Sequence, residues 1–148
     1  MRFMMLIKSD ARAEAGVMPS AALVEAMGRY NDELVKAGVL LAAEGLHASS
    51  KGARIQFASG ERTVIDGPFA EAKELIAGFW MIQVKSRDEA IQWALRVPFE
   101  SGDASSRDGV GELELRQIFE EADFPPGPVA QVPERFEAER EFRERRQR

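Results

Sequence analysis

The sequence predicts an α+β domain built on one antiparallel sheet, and three observations carry that expectation. Short stretches that are apolar or alternate apolar with polar recur along the chain. Between them lie two segments whose apolar residues repeat at three- and four-residue steps, the mark of a helix with one buried face. The 148 residues are 45% hydrophobic and 30% charged, which suits one core and one domain rather than two.

Positions 3–7, Phe-Met-Met-Leu-Ile, form an apolar run closed by Lys8, Ser9 and Asp10, and read as the first strand. A loop of small and polar residues follows through Gly16. Pro19 or Ser20 opens a helix in which Leu23, Met27, Tyr30 and Leu34 make one apolar stripe, and Gly38 ends it in the position that favours glycine. A second strand begins at Val39 and runs toward Gly45-Leu46-His47. Ile55-Gln56-Phe57 and Thr63-Val64-Ile65 flank Ser59-Gly60 as a hairpin does. Asp66-Gly67-Pro68 breaks that strand. A helical turn over positions 70–75 is expected next, with Pro68 supplying a helical φ and Glu71 near the positive end.

Gly78 separates this turn from the strongest strand, positions 79–84. Ser86 and Glu89 then form a capping box. The helix they open is expected to bury Ala90, Ile91, Ala94 and Leu95 and to stop before Pro98. After a loop over 101–111, Leu113 and Leu115 alternate with Glu112, Glu114 and Arg116 as the last strand. The order β-α-β-(β-β)-α-β is that of a ferredoxin-like sheet with its helices on one face. The domain so defined spans 1–124.

Residues 125–148 read as a Pro-rich linker and a charged tail. Pro125, Pro126, Pro128 and Pro133 mark the linker. Positions 134–148 hold five acids and six arginines. Glu139/Arg143, Glu141/Arg145 and Glu144/Arg148 stand at helical i,i+4 spacing. The tail is expected to be peripheral, as an exposed helix or a disordered segment.

Phe3, Met5 and Ile7 face one side of the first strand, and Met4 and Leu6 the other. Trp80, Ile82 and Val84 oppose Phe79 and Met81 in the same way. Both faces of the sheet are therefore apolar in two strands, while two helices cover only one face. A second copy of the same sheet is the simplest cover, which makes the expected partner a homodimer.

The net charge of −5 argues against non-specific nucleic-acid binding. With no cysteine, disulfides, thiolate nucleophiles and Cys-ligated zinc are excluded. One histidine is too few for an ordinary zinc site. The acidic spacing of Asp103, Ser105, Asp108 and Gly109 does not fit a calcium loop. No dinucleotide or phosphate-cradling pattern occurs, so no cofactor and no metal are expected. The N-terminal apolar run is too short for a signal peptide, and no segment is long enough to span a membrane. A cytoplasmic location follows as the expectation.

The distinctive stretch is Asp66-Gly67-Pro68-Phe69-Ala70-Glu71-Ala72-Lys73-Glu74. It resembles the signature of the DGPF branch of YCII-related proteins, with Ala72 where threonine is usual. Further matches lie in the N-terminal strand, Ala37-Gly38, Glu44-Gly45-Leu46, the Gly78-Phe79 strand, positions 90–98 and Glu114-Leu115-Arg116. The resemblance implies a ferredoxin-like fold paired into a dimeric α+β barrel, with a histidine and an aspartate in a cleft.

Two residues in this chain suit that chemistry. His47 carries the side-chain type that titrates near neutrality, and Asp66 ends a strand beside the motif, so the two are the acid/base candidates. Their loops are expected to converge on one cleft. Phe69, Glu71, Lys73 and Glu74 are the candidate ligand contacts. Each has a structural reading as well: Asp66 as a turn residue, Phe69 as core, the charged three as solvated surface, His47 as an ordinary exposed imidazole. Gly67 and Pro68 read as structural. The function expected is binding of an unidentified small molecule with lyase- or isomerase-type proton transfer. The alternative is a non-catalytic metabolite-binding, regulatory or interaction module.

Overall fold

The computed structural model describes residues 1–99, 106–107, 110–125 and 133–146. β1 (Arg2–Lys8) leads through a single-turn helix, α1 (Ala11–Glu14), into α2 (Ala21–Lys36). β2 (Leu40–Gly45), β3 (Ala53–Ala58), β4 (Glu61–Asp66) and β5 (Ile76–Gln83) follow. Then come α3 (Arg87–Ala94), two-residue strands β6 (Ser106–Arg107) and β7 (Val110–Gly111), β8 (Leu113–Gln117) and α4 (Pro133–Arg146). The main sheet has the order β2-β5-β1-β8 with every neighbour antiparallel. That is the expected ferredoxin-like α+β arrangement, with β3 and β4 forming a separate hairpin.

Register decides which side chains meet. Phe3 lies opposite Ile82, and Met5 lies between Trp80 and Leu115. These residues, with Ala43 and Leu40 from β2, point to the helices and make the core with Tyr30 and Leu34 of α2. Met5, Leu34 and Ile82 are fully buried. Ser20 caps α2 by accepting from the Leu23 amide at 3.1 Å, and the stripe forms as expected: Leu23, Tyr30 and Leu34 are buried. Gly38 follows the helix at φ +70°, the left-handed conformation a glycine tolerates.

Tyr30 ties α2 and α3 to the sheet. Its hydroxyl donates to the Trp93 carbonyl at 2.8 Å, and its ring meets Trp80 edge-on at 5.4 Å. Trp80 in turn donates its indole N–H to Asn31 Oδ1 at 2.7 Å. Burial pushes the phenol up to about 12.

Four local expectations are corrected. Gly78 lies within β5 rather than before it, and is glycine there because a Cβ would stand 2.8 Å from the Glu44 carbonyl oxygen of β2. Ala90 of α3 is buried and Ala94 packs on the core as expected, but Leu95, just past the helix end, is 73% exposed. Trp93 and Val97 pack on the core in its place. The turn expected over 70–75 shrinks to a 3-10 turn, Ala72–Glu74. Gly67–Pro68 is a cis peptide. Glu71 has φ 61° and the turn begins only at Ala72, so Pro68 does not start a helix. The loop through Gly16 contains α1, capped by Asp10 accepting from Ala13 N at 2.8 Å.

The outward face of the sheet carries two rows. Ala42, Met81, Met4 and Arg116 line up in one, and Glu44, Phe79, Leu6 and Glu114 in the next. Met4, Leu6, Phe79 and Met81 are only half-buried, so the expected two-sided apolar sheet is present. At the far end a cavity of about 610 Å³ opens between Arg2, Leu41 and Gln83 of the sheet, Phe119 and Phe124 beyond it, and Arg140 of α4. α4 is helical, as one of the two expectations for the tail had it, and Glu141–Arg145 pairs at 3.0 Å. Arg140 reaches Glu121 at 3.9 Å. Most of the expected linker, positions 126–132, lies outside the described residues, as do the side chains of Arg143 and Arg148 in the other two expected pairs.

Candidate functional site

The chemistry-bearing loops gather at one end of the sheet for a topological reason. β1 and β2 run the same way and end where β5, antiparallel to both, begins. The segments that leave β1 and β2 and the one that enters β5 are thus neighbours. Backbone bonds fix them: Ser9 N donates to the Leu75 carbonyl at 2.9 Å, and Leu46 N to the Ala77 carbonyl at 2.8 Å.

Ser49 joins the three segments. Its amide donates to the Glu14 carboxylate oxygens at 3.1 and 3.2 Å, and its hydroxyl donates to Glu14 Oε2 through a short hydrogen bond. The same Ser49 Oγ accepts from the Phe69 amide at 2.9 Å. Gly67 donates its N–H to the Gly52 carbonyl at 3.0 Å. A Cβ on Gly67 would lie 1.8 Å from the Ser49 carbonyl oxygen, so the motif backbone passes where only glycine fits. The segments after β2 and β4 thus meet through Ser49, Gly67 and Phe69.

Within this frame, His47 is exposed, two residues beyond β2 and two before Ser49. Asp66 is the last residue of β4, opposite Ala53, and exposed. No hydrogen bond or ion pair joins the two among the described residues. Phe69 is half-buried and carries the Arg54 guanidinium 4.0 Å above its ring. Glu71, Lys73 and Glu74 are exposed, and the Glu71–Lys73 pair at 3.9 Å is a surface contact of little energetic weight. Asp10 is 5% exposed, with one carboxylate oxygen capping α1 and the other without a hydrogen-bond partner.

Sequence reasoning singled out neither Glu14 nor Ser49. Their bond spans 35 positions, and no local pattern announces it. Asp10 did carry a signal, since an aspartate before a short Ala-Arg-Ala-Glu stretch is a helix cap. Among the described residues no group of three or more His, Asp or Glu gathers as metal ligands would. The loop surface instead mixes acids (Glu14, Asp66), one imidazole, and the cations Lys51 and Arg54, which form no ion pair among the described residues. Such a set can hold a small polar molecule by charge and hydrogen bonds and can give or take a proton.

Fold and loops together define a small antiparallel α+β domain of ferredoxin-like topology with its polar loops at one sheet end. A family model, the YCII-related domain, matches residues 1–112, and the chain belongs to that family. It is similar to an uncharacterized protein of Rhizobium meliloti (strain 1021). The two are 33% identical over 95 residues, which cover 64% of this chain and 69% of that protein. No helix among the described residues is long and apolar enough to cross a membrane.

Proposed function

We propose that this chain is a homodimeric small-molecule-binding protein whose ligand lies over the loops at the β2–β5–β1 end, with Asp66 and His47 as proton donor and acceptor. The observation that supports it most is the Glu14–Ser49–Phe69 chain of hydrogen bonds, which draws the His47 and Asp66 segments together. Phe69, Glu71, Lys73 and Glu74 border the ligand. The uncovered outward face of the sheet supports the dimer. The domain ends at residue 124, with 125–148 as linker and tail in a cytoplasmic protein. A second reading, binding without proton transfer, is favoured by the exposure of both His47 and Asp66 and the lack of a bond between them.

The test uses small hydroxy- and keto-carboxylic acids, a class suited to Lys51 and Arg54. The His47 ring resonances, unique in this chain, and the Phe69 amide should shift with an acid that binds. Solvent deuterium should enter the carbon next to its carboxyl or keto group, and this incorporation should stop in Asp66→Asn and His47→Gln. Binding without incorporation leaves the second reading. No binding by any of the acids removes the proposed ligand class.

A further inference from the structure

The β3–β4 hairpin is a surface built to be covered. Every residue of both strands is exposed, and among the described residues the two strands pair only with each other. A two-stranded hairpin of this kind is marginal in water unless something packs on it. Register puts Ile55 opposite Val64 and Phe57 opposite Arg62, so one face shows an apolar stripe with a guanidinium at its outer end. Ile55 is 50%, Val64 65% and Phe57 69% exposed, and Arg62 lies over the Phe57 ring at 5.4 Å. Positions 51–65 hold three cations, Lys51, Arg54 and Arg62, against one acid, Glu61. None of the three cations is in an ion pair among the described residues.

The complement of this arm is on the same chain. On the outward sheet face the half-buried Phe79, Leu6, Met81 and Met4 form an apolar strip. Its two edges differ. On the β8 edge Glu114 is held by Arg116 at 3.0 Å and Lys8 at 3.6 Å. On the β2 edge Glu44 is exposed and, among the described residues, without an ion pair. Two copies that each carry −5 repel overall, so they approach best where local charges oppose.

We infer that the β3–β4 hairpin of one copy lies along the β2 edge of the outward face of a second copy, Ile55, Phe57 and Val64 against Ala42 and the apolar strip, and Arg62 toward Glu44. By two-fold symmetry each copy gives an arm and receives one. The inference rests on the homodimer proposed above and adds which surface makes it. Because Asp66 ends β4 and Gly67 directly follows it, the arm also brings the motif loop to the subunit boundary.

Two measurements on the full chain test it. The first is sedimentation equilibrium of Arg62→Glu, Glu44→Arg and the double variant. Each single reversal should weaken the dimer about tenfold and the double should recover most of that loss, as for close interfacial charge pairs. The second uses the absence of native cysteine. Phe57→Cys chains mixed with Ala42→Cys chains should join as mixed dimers under a short bismaleimide. A dimer whose affinity ignores both reversals and which yields no mixed cross-link overturns the arm and leaves the dimer standing. Cross-linking within one chain in the doubly substituted protein also overturns it. A monomer at every concentration removes the dimer, and the arm with it.

Discussion

The four-stranded sheet and the β3–β4 hairpin share the same alternating strand grammar, and they hold together by different means. In the sheet, alternation sorts side chains between a buried face and an outward one, so Met5 and Ile82 lose all contact with water. In the hairpin both faces meet solvent, and order comes from its ends. At the tip Ser59 (φ 50°) and Gly60 (φ 82°) make a two-residue turn whose twist suits the strands. At the base Gly67 and Phe69 are anchored to Gly52 and Ser49. A strand pattern thus specifies pairing, while burial specifies stability.

The largest expected contrast is between deletions in the two regions. Ile82→Ala should cost about 3–4 kcal/mol, through lost transfer energy and a cavity. Thr63→Ala on the hairpin should change stability by under about 0.5 kcal/mol. Urea unfolding of both variants measures this, and equal losses would show that sheet and hairpin depend on burial alike. Next in size is the hairpin base. Gly67→Ala forces the backbone away from the Ser49 carbonyl and should cost about 2–3 kcal/mol, as overpacking does. Hydrogen exchange should quicken at positions 53–69 while β1 and β5 stay protected. A uniform change across the chain would show that base and core are one cooperative unit.

The smallest effect sharpens the core side. Tyr30→Phe removes the hydrogen bond to Trp93 and should cost about 1 kcal/mol at neutral pH. It should also change the alkaline limb. The folded phenol titrates near 12, above its ordinary 10, so the native state holds this proton more tightly. That contribution is fully present below pH 10 and lost as pH rises through about 12. The variant should lose stability less steeply over that window. As Tyr30 is the sole tyrosine, tyrosinate absorbance follows it directly, and a midpoint near 10 would refute the buried hydroxyl.

Much of the fold was legible because its signals are local or periodic. Leu23, Met27, Tyr30 and Leu34 repeat at helical steps, and Ser20, Ser86 and Ser59-Gly60 are short-range instructions the structure obeys. What escaped depended on a second surface. Leu95 has the right hydrophobicity for the core face, yet it is exposed while Trp93 and Val97 pack on the core, a choice no local pattern encodes. Gly78 resembled a separator, while its reason is the Glu44 backbone across the strand. The site divides the same way. The motif and His47 were visible as residues, whereas Glu14 and Ser49 acquire their roles from contacts 35 and 20 positions away.

The placement of the aromatic residues has a spectroscopic consequence. Both tryptophans of the chain, Trp80 and Trp93, pack with Tyr30 in or against the core, and the hairpin holds neither tryptophan nor tyrosine. Intrinsic fluorescence therefore reports the helix–sheet interior and is blind to the arm and the motif loop. A preparation with a melted hairpin would give a native emission spectrum. A tryptophan introduced at Phe57 would give that silent region a fluorescence reporter of its own.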